Sequence, residues 1–148
     1  MGFNMNKFIF YILIVFSFYG YAQIADSQWQ TDFLKVKSLS KKNKKPILVY
    51  FSGSDWCAPC KKLKTDLFEN ESYETLLSSY NLLYVDIPQN RDLIGESQYD
   101  KNKKLMTKYN SDKKFPTLVV LNKRGKEIKR MSGYFNEDQL MYYVNFLK

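Results

Sequence analysis

The 148-residue chain is 45% apolar, 17% aromatic and 26% charged, with six glycines and four prolines. That composition excludes collagenous, low-complexity and wholly disordered classes, and the length fits one domain. Lysine and arginine outnumber aspartate and glutamate by 23 to 15, giving a net charge of +8, and histidine is absent. Without histidine, Ser-His-Asp and Cys-His hydrolases and the usual His-ligated zinc enzymes are excluded; the two cysteines cannot close a four-thiolate zinc site.

Residues 1–22, MGFNMNKFIFYILIVFSFYGYA, carry Lys7 as their only charge, then an apolar run from Phe8 to Tyr19 broken only by Ser17. Gly20 and Ala22 supply small residues at the −3 and −1 positions of a cleavage site. A basic start, a short apolar stretch and a small-x-small end predict a secretory signal peptide at 1–22. Retention as a membrane anchor is the alternative, but a spanning helix needs about 20 apolar residues. Cleavage after Ala22 leaves residues 23–148 as one domain with no stable membrane insertion, in the periplasm or extracytoplasmic cell envelope.

From residue 31 to 44, Phe33, Val36 and Leu39 recur at helical spacing, and the lysines from Lys41 onward suit a helix C-terminus. Pro46 stops that helix. Ile47 to Phe51 is a continuous apolar run bounded by Pro46 and Ser52-Gly53-Ser54, which predicts a buried central strand. A helix over 58–68 follows, with Cys60, Leu63 and Leu67 on one face. Asn70 caps a short helix whose stripe is Tyr73, Leu76, Leu77 and Tyr80. Leu82 to Ile87 is a second apolar strand. Residues 88–100 are polar and patternless and predict a surface loop, followed by a helix over 101–109 that pairs Leu105 with Tyr109.

After Pro116, Thr117 to Leu121 predicts a third strand. Asn122-Lys123-Arg124-Gly125 is a turn in which Gly125 is free to take positive φ. Residues 126–131 alternate around Ile128, as a partly exposed edge strand does. Asn136 and Gln139, with Glu137 and Asp138 between, predict the start of a last helix that buries Leu140, Val144 and Leu147. Trp29 and the Tyr142-Tyr143 pair read as packing residues. The element order predicts an α/β fold: a central mixed sheet of four to five strands with helices on both faces.

The chemistry falls at Cys57-Ala58-Pro59-Cys60, between the predicted central strand and a predicted helix. There Cys57 sits at a helix N-terminus, where unpaired N–H groups and the helix dipole favour a thiolate. The thiolate is the nucleophile of disulfide exchange. Pro59 is tolerated in a first turn because its missing N–H would have no intrahelical partner. Cys60, one turn inside, is in reach of a mixed disulfide at Cys57 and acts as the resolving thiol. A purely structural disulfide across so short a loop contributes only about 2 kcal/mol by loop entropy, and metal binding lacks two further ligands. Redox exchange is the better reading.

The run Pro46 to Lys61, PILVYFSGSDWCAPCK, resembles the central strand and W-C-x-x-C-K active site of the thioredoxin superfamily. Phe115-Pro116-Thr117 resembles that family's cis-proline segment, and Gly133-Tyr134 ahead of the last helix also fits. The likeness spans roughly residues 29–147 and is nearest to short exported thioredoxin-like proteins and to the terminal domain of membrane-linked thiol:disulfide interchange proteins. It implies a thioredoxin-like fold and a thiol:disulfide oxidoreductase that needs no cofactor and no metal. Cys57 is then the nucleophile, Cys60 the resolving cysteine, and Trp56, Phe115, Pro116 and Thr117 bind substrate. The implied substrates are protein or peptide disulfides, and the implied electron donor is a membrane thiol reductase.

Two departures from the family stand out. Where ordinary thioredoxins place a buried acid ahead of the active site, this chain has Tyr50, and Asp55 is an exposed substitute. Phe115 is bulkier than the usual residue before the proline and narrows the substrate range. Strong oxidants of the superfamily carry a histidine between the cysteines; Ala58-Pro59 fits the reducing or isomerising members. A thioredoxin-fold peptide-binding or chaperone-like protein without redox turnover is the alternative. The basic clusters at Lys41–Lys45, Lys101–Lys104 and Lys123–Arg130 read as solvated helix ends and faces, with no nucleic-acid partner.

Overall fold

Apolar runs that do not alternate must be covered on both faces, and such runs form the middle of the sheet. The computed structural model describes residues 28–148; the expected leader at 1–22 lies outside the described residues. The strands are β1 (Trp29–Gln30), β2 (Ile47–Ser52), β3 (Asn81–Asp86), β4 (Thr117–Leu121) and β5 (Glu127–Ser132). They form one five-stranded sheet in the order β1-β3-β2-β4-β5. β2 lies at its centre with all six residues buried. It runs parallel to β3, with Leu48 opposite Leu82, and antiparallel to β4, with Val49 opposite Val119. β4 and β5 form the hairpin expected around Gly125, which adopts φ 82°.

The helices are α1 (Phe33–Asn43), α2 (Ala58–Leu63), α3 (Glu74–Leu77), α4 (Glu96–Tyr109) and α5 (Leu140–Leu147). α2 continues into a π-type turn over Lys64–Phe68. The sheet separates two cores. On one face Val36 of α1 and Met106 and Tyr109 of α4 pack on Ile47, Val49 and Phe51. On the other, Leu63, Leu67, Leu77, Tyr143 and Val144 pack on Leu48 and Tyr50, together with both cysteines. Each fully buried Leu, Ile or Val contributes about 1.5–3 kcal/mol.

Several elements depart from the sequence reading. β1 was not anticipated; its two residues pair in parallel with Leu82 and Leu83. α4 starts at Glu96, inside the expected loop, after Gly95 at φ 76°. Its buried side chains are Asn102, Met106 and Tyr109, while Leu105 is only half-buried. The Asn102 amide donates to the Asp86 carbonyl at 2.8 Å, so a polar residue does the docking where an apolar one was expected. On α1, Val36 and Ser40 are buried, and Leu39 remains partly exposed. Asn136 caps no helix with its side chain; a 3-10 turn over Glu137–Gln139 leads into α5, and Gln139 Oε1 accepts from Phe135 N. Tyr143 packs in the core as expected, but Tyr142 is 68% exposed.

Candidate active site

The strand-to-helix loop after β2 is built on Gly53. Its carbonyl accepts from Cys57 N at 2.8 Å and from Trp56 N at 3.3 Å, which closes the turn. The Trp56 indole lies directly over Gly53, so closely that a Cβ there would stand 2.2–2.6 Å from ring atoms. Only a residue without a side chain permits this seat. Nε1 of the indole donates to the Ile87 carbonyl at 2.8 Å, tying the loop to the segment after β3. Asp55 adds a second tie: its carboxylate accepts from Gln89 N at 3.0 Å and Asn90 N at 2.9 Å. These backbone donors, that of Asn90 foremost, hold the Asp55 carboxyl below its ordinary range. Asp55 is thus committed to the loop scaffold, away from the role of a buried acid.

Cys57 is the N-cap of α2, in extended conformation, and Pro59 sits in the first turn. Its Sγ accepts from Cys60 N at 3.2 Å. The two sulfurs are joined in a disulfide, S–S 2.06 Å, and both residues are almost wholly buried, at 3% and 1% exposure. A sulfur that receives a backbone N–H at a helix N-terminus is stabilised as thiolate once the bond opens. The site is therefore equipped for exchange at Cys57, with Cys60 behind it.

Phe115, Pro116 and Thr117 enter the same end of the sheet. The Phe115–Pro116 peptide bond is cis. β4 register puts Thr117 opposite Phe51, two residues before Gly53. The Phe115 ring meets Trp56 edge-on, with centroids 5.2 Å apart. Pro116 O accepts from Gly133 N at 2.9 Å. Thr117 is fully buried, and its hydroxyl is shared between the Lys114 carbonyl at 2.8 Å and Ser132 Oγ at 2.7 Å. Its side chain braces the segment against β5. Trp56 is 41% exposed and Phe115 half-buried, so their shared edge is in part open to solvent.

Tyr50 and Asp86 were not singled out as site residues by sequence. Tyr50, 2% exposed, donates its hydroxyl to the Cys60 carbonyl at 2.8 Å. Burial pushes its phenol pKa upward, so it stays protonated as a donor. Asp86 accepts from Ser54 N at 2.8 Å and so fixes the loop from β3. The only sequence signal for Tyr50 was its occupation of the acid's place. On the far side of α2, Asp66 accepts from Tyr134 Oη at 2.5 Å and pairs with Lys62 at 3.1 Å. Lys62 also reaches Glu137 at 2.9 Å. That network braces the active-site helix against the segment leading to α5.

Among the described residues no group of three or more His, Cys, Asp or Glu side chains converges on a metal site, and no helix is long and apolar enough to cross a membrane.

A family model described as a thioredoxin-like domain matches residues 34–148. The chain is 32% identical over 108 residues to the disulfide bond reductase DsbH of Chlamydia pneumoniae, a match covering 72% of this chain and 63% of that protein. It is 26% identical over 110 residues to the thiol:disulfide interchange protein DsbD of Campylobacter jejuni, covering 74% of this chain and 18% of that one. The chain thus spans less than two thirds of either relative's length. A solved structure of a DsbH oxidoreductase superposes with a TM-score of 0.68 at 28% identity, over 84% of this chain and 88% of that one.

Proposed function

We propose that this chain, which belongs to the family of thioredoxin-like domains, is a thiol:disulfide oxidoreductase of the cell envelope that reduces or isomerises protein disulfides. The observation that carries the reading is the Cys57–Cys60 pair at the start of α2, with Cys57 Sγ held by the Cys60 amide beside the Trp56–Phe115 edge. The similarity to a disulfide bond reductase supports the same direction of flow. An envelope location is supported by the leader-like residues 1–22.

The reaction runs in two exchanges. Cys57 thiolate attacks one sulfur of a substrate disulfide, forming a Cys57–substrate disulfide and expelling the other sulfur as thiolate. Cys60 then loses its proton and attacks Cys57 Sγ, forming the Cys57–Cys60 disulfide and expelling the second substrate thiolate. The substrate gains two electrons, and the released thiolates take up protons. A membrane thiol reductase returns the two electrons by the reverse steps. Trp56 and Phe115 contact the substrate chain, while backbone groups of the Pro116–Thr117 segment hold it.

Insulin reduction tests the proposal: wild type turns over with a reductant, and Cys57→Ser does not. Cys60→Ser retains the first exchange and accumulates a Cys57-linked partner in the envelope. If turnover is independent of Cys57 and no linked partner accumulates, the reading fails and a peptide-binding role without redox turnover replaces it.

A further inference from the structure

We propose that the end of the sheet opposite the cysteines is a docking surface for an anionic phospholipid bilayer, with cations of α1, α4 and the β4–β5 turn lying on the headgroups. The proposal goes beyond the redox reading and does not depend on it. Three stretches far apart in the chain meet at Gly125. A Cβ there would stand 3.5 Å from Tyr109 Oη of α4 and 3.6 Å from both Lys37 Cε and Phe33 Cζ of α1. Tyr109 Oη donates to the Gly125 carbonyl at 2.7 Å, which locks the end of α4 to the turn. Around this point stand Lys37 on α1, Lys108 on α4 with its ammonium 5.0 Å from the Tyr109 ring, and Lys123, Arg124 and Lys126 in the turn itself. Lys37 is half-buried and the other four are exposed. Because Ile47 of β2 lies opposite Leu121 of β4, Lys44 and Lys45 just ahead of β2 come to the same end of the sheet as the turn.

Among the described residues none of the five cations around Gly125 takes part in a salt bridge. Glu127, the acid next to the turn, is taken by Arg130 through two hydrogen bonds of 2.6 Å, and Asp112 is paired with Lys114 and Arg130. The cluster is thus a positive surface without an internal counterpart, and its parts become one surface only in the fold. Four of the five are lysines, point charges without the planar fork that lets arginine grip a single shaped anion, and they suit a spread of headgroups. Leu34, 75% exposed and one turn ahead of Lys37 on α1, adds an apolar side chain that a lipid interface accepts and a soluble polyanion does not. Each Lys or Arg held near an anionic bilayer strengthens binding roughly fivefold. The length of β2 separates this end from the active-site loop by about 17 Å, so the docked domain turns Cys57 away from the bilayer.

The test sediments the full chain with phosphatidylcholine vesicles that contain or lack phosphatidylglycerol. The apolar stretch of residues 1–22 partitions into either and is common to every variant, so the ratio of the two binding constants isolates the charge of the domain. That ratio is expected to favour the anionic vesicles by about tenfold or more and to shrink as salt shortens the Debye length. Replacing Lys123, Arg124 and Lys126 together by Gln is expected to lower binding to the anionic vesicles by about a hundredfold. Neutralising Lys64, Lys114 and Lys148 together, an equal loss of charge spread over other parts of the surface, is expected to leave most of it. Leu34→Ser is expected to weaken binding to vesicles and not to dextran sulfate. Insulin reduction in solution is expected to be the same for wild type and the turn variant, which also shows that the variant folds. Equal binding to both vesicles overturns the proposal, as does an equal loss in the two triple variants. Vesicle binding that ignores Leu34→Ser overturns it in favour of a soluble polyanion. Absence of insulin reduction in wild type would sink the redox reading alone and leave these ratios as they are.

Discussion

Gly53→Ala tests whether the Trp56 seat organises the active-site loop. A methyl at this position would stand 2.2–2.6 Å from the indole, so the ring must leave its place. Leaving breaks the 2.8 Å bond from Nε1 to the Ile87 carbonyl and the edge-on contact with Phe115 at 5.2 Å. A net hydrogen bond is worth about 1 kcal/mol and an aromatic pair about 0.5–1.5 kcal/mol, so the loss comes to about 2 kcal/mol. For a domain of this size that lowers Tm by about 6–10 °C. Thermal unfolding by circular dichroism gives the cost, and hydrogen exchange at the indole N–H reports the broken bond. In a Trp56→Ala background neither bond nor clash exists, so the same glycine substitution costs almost nothing. Equal Tm values for wild type and Gly53→Ala, with the indole proton still protected, would refute the reasoning.

The Asp66 carboxyl is held below its ordinary value chiefly by the Tyr134 hydroxyl and then by Lys62. A depressed folded-state value contributes stability above the unfolded carboxyl pKa, about 3.9, and that contribution is lost as pH falls through the folded value. Urea unfolding of Tyr134→Phe is therefore expected to show a shallower acid limb than wild type; parallel limbs would remove the assignment. Asn110 is fully buried and holds the Lys114 carbonyl at 2.8 Å just ahead of Phe115. Asn110→Ala is expected to cost about 1–3 kcal/mol and to slow insulin reduction, measured by chemical denaturation and turnover, whereas Asn110→Asp keeps the acceptor for Lys114 N. The reduction potential of the Cys57–Cys60 pair, equilibrated against glutathione, is expected nearer about −270 mV than about −120 mV; a value at the oxidising end would reverse the proposed direction.

What could be read from the chain depended on how local each signal was. The Cys57–Cys60 spacing, the unbroken runs of β2, β3 and β4 and the Gly125 turn are written in adjacent residues, and they led to the fold. β1 is different: two residues carry no periodicity, and Trp29–Gln30 becomes strand only because the edge of β3 accepts it. The start of α4 was hidden because its docking residue, Asn102, is polar and finds its partner in the Asp86 carbonyl sixteen residues earlier. Tyr143 and Tyr142 are adjacent and chemically alike; only the helix phase, set by contact with Tyr134, decides which is buried. At the site, both cysteines followed from motif, whereas the edge-on contact of Trp56 with Phe115 joins residues 59 positions apart and came only with the fold. The Tyr50 bond to the Cys60 carbonyl did not follow from motif either, since nothing in the sequence fixes where a phenol points.

Both sulfurs share one of the two cores, with Leu63, Leu67 and Tyr143, while α1 and α4 cover the opposite face of β2. The sheet thereby acts as a backing plate: one side meets the redox chemistry and the other carries the frame. Spectroscopic labels on the solvent side of α4, at Lys103 or Lys104, would read folding without sensing electron transfer, which makes that face a suitable handle for immobilising the protein on an electrode.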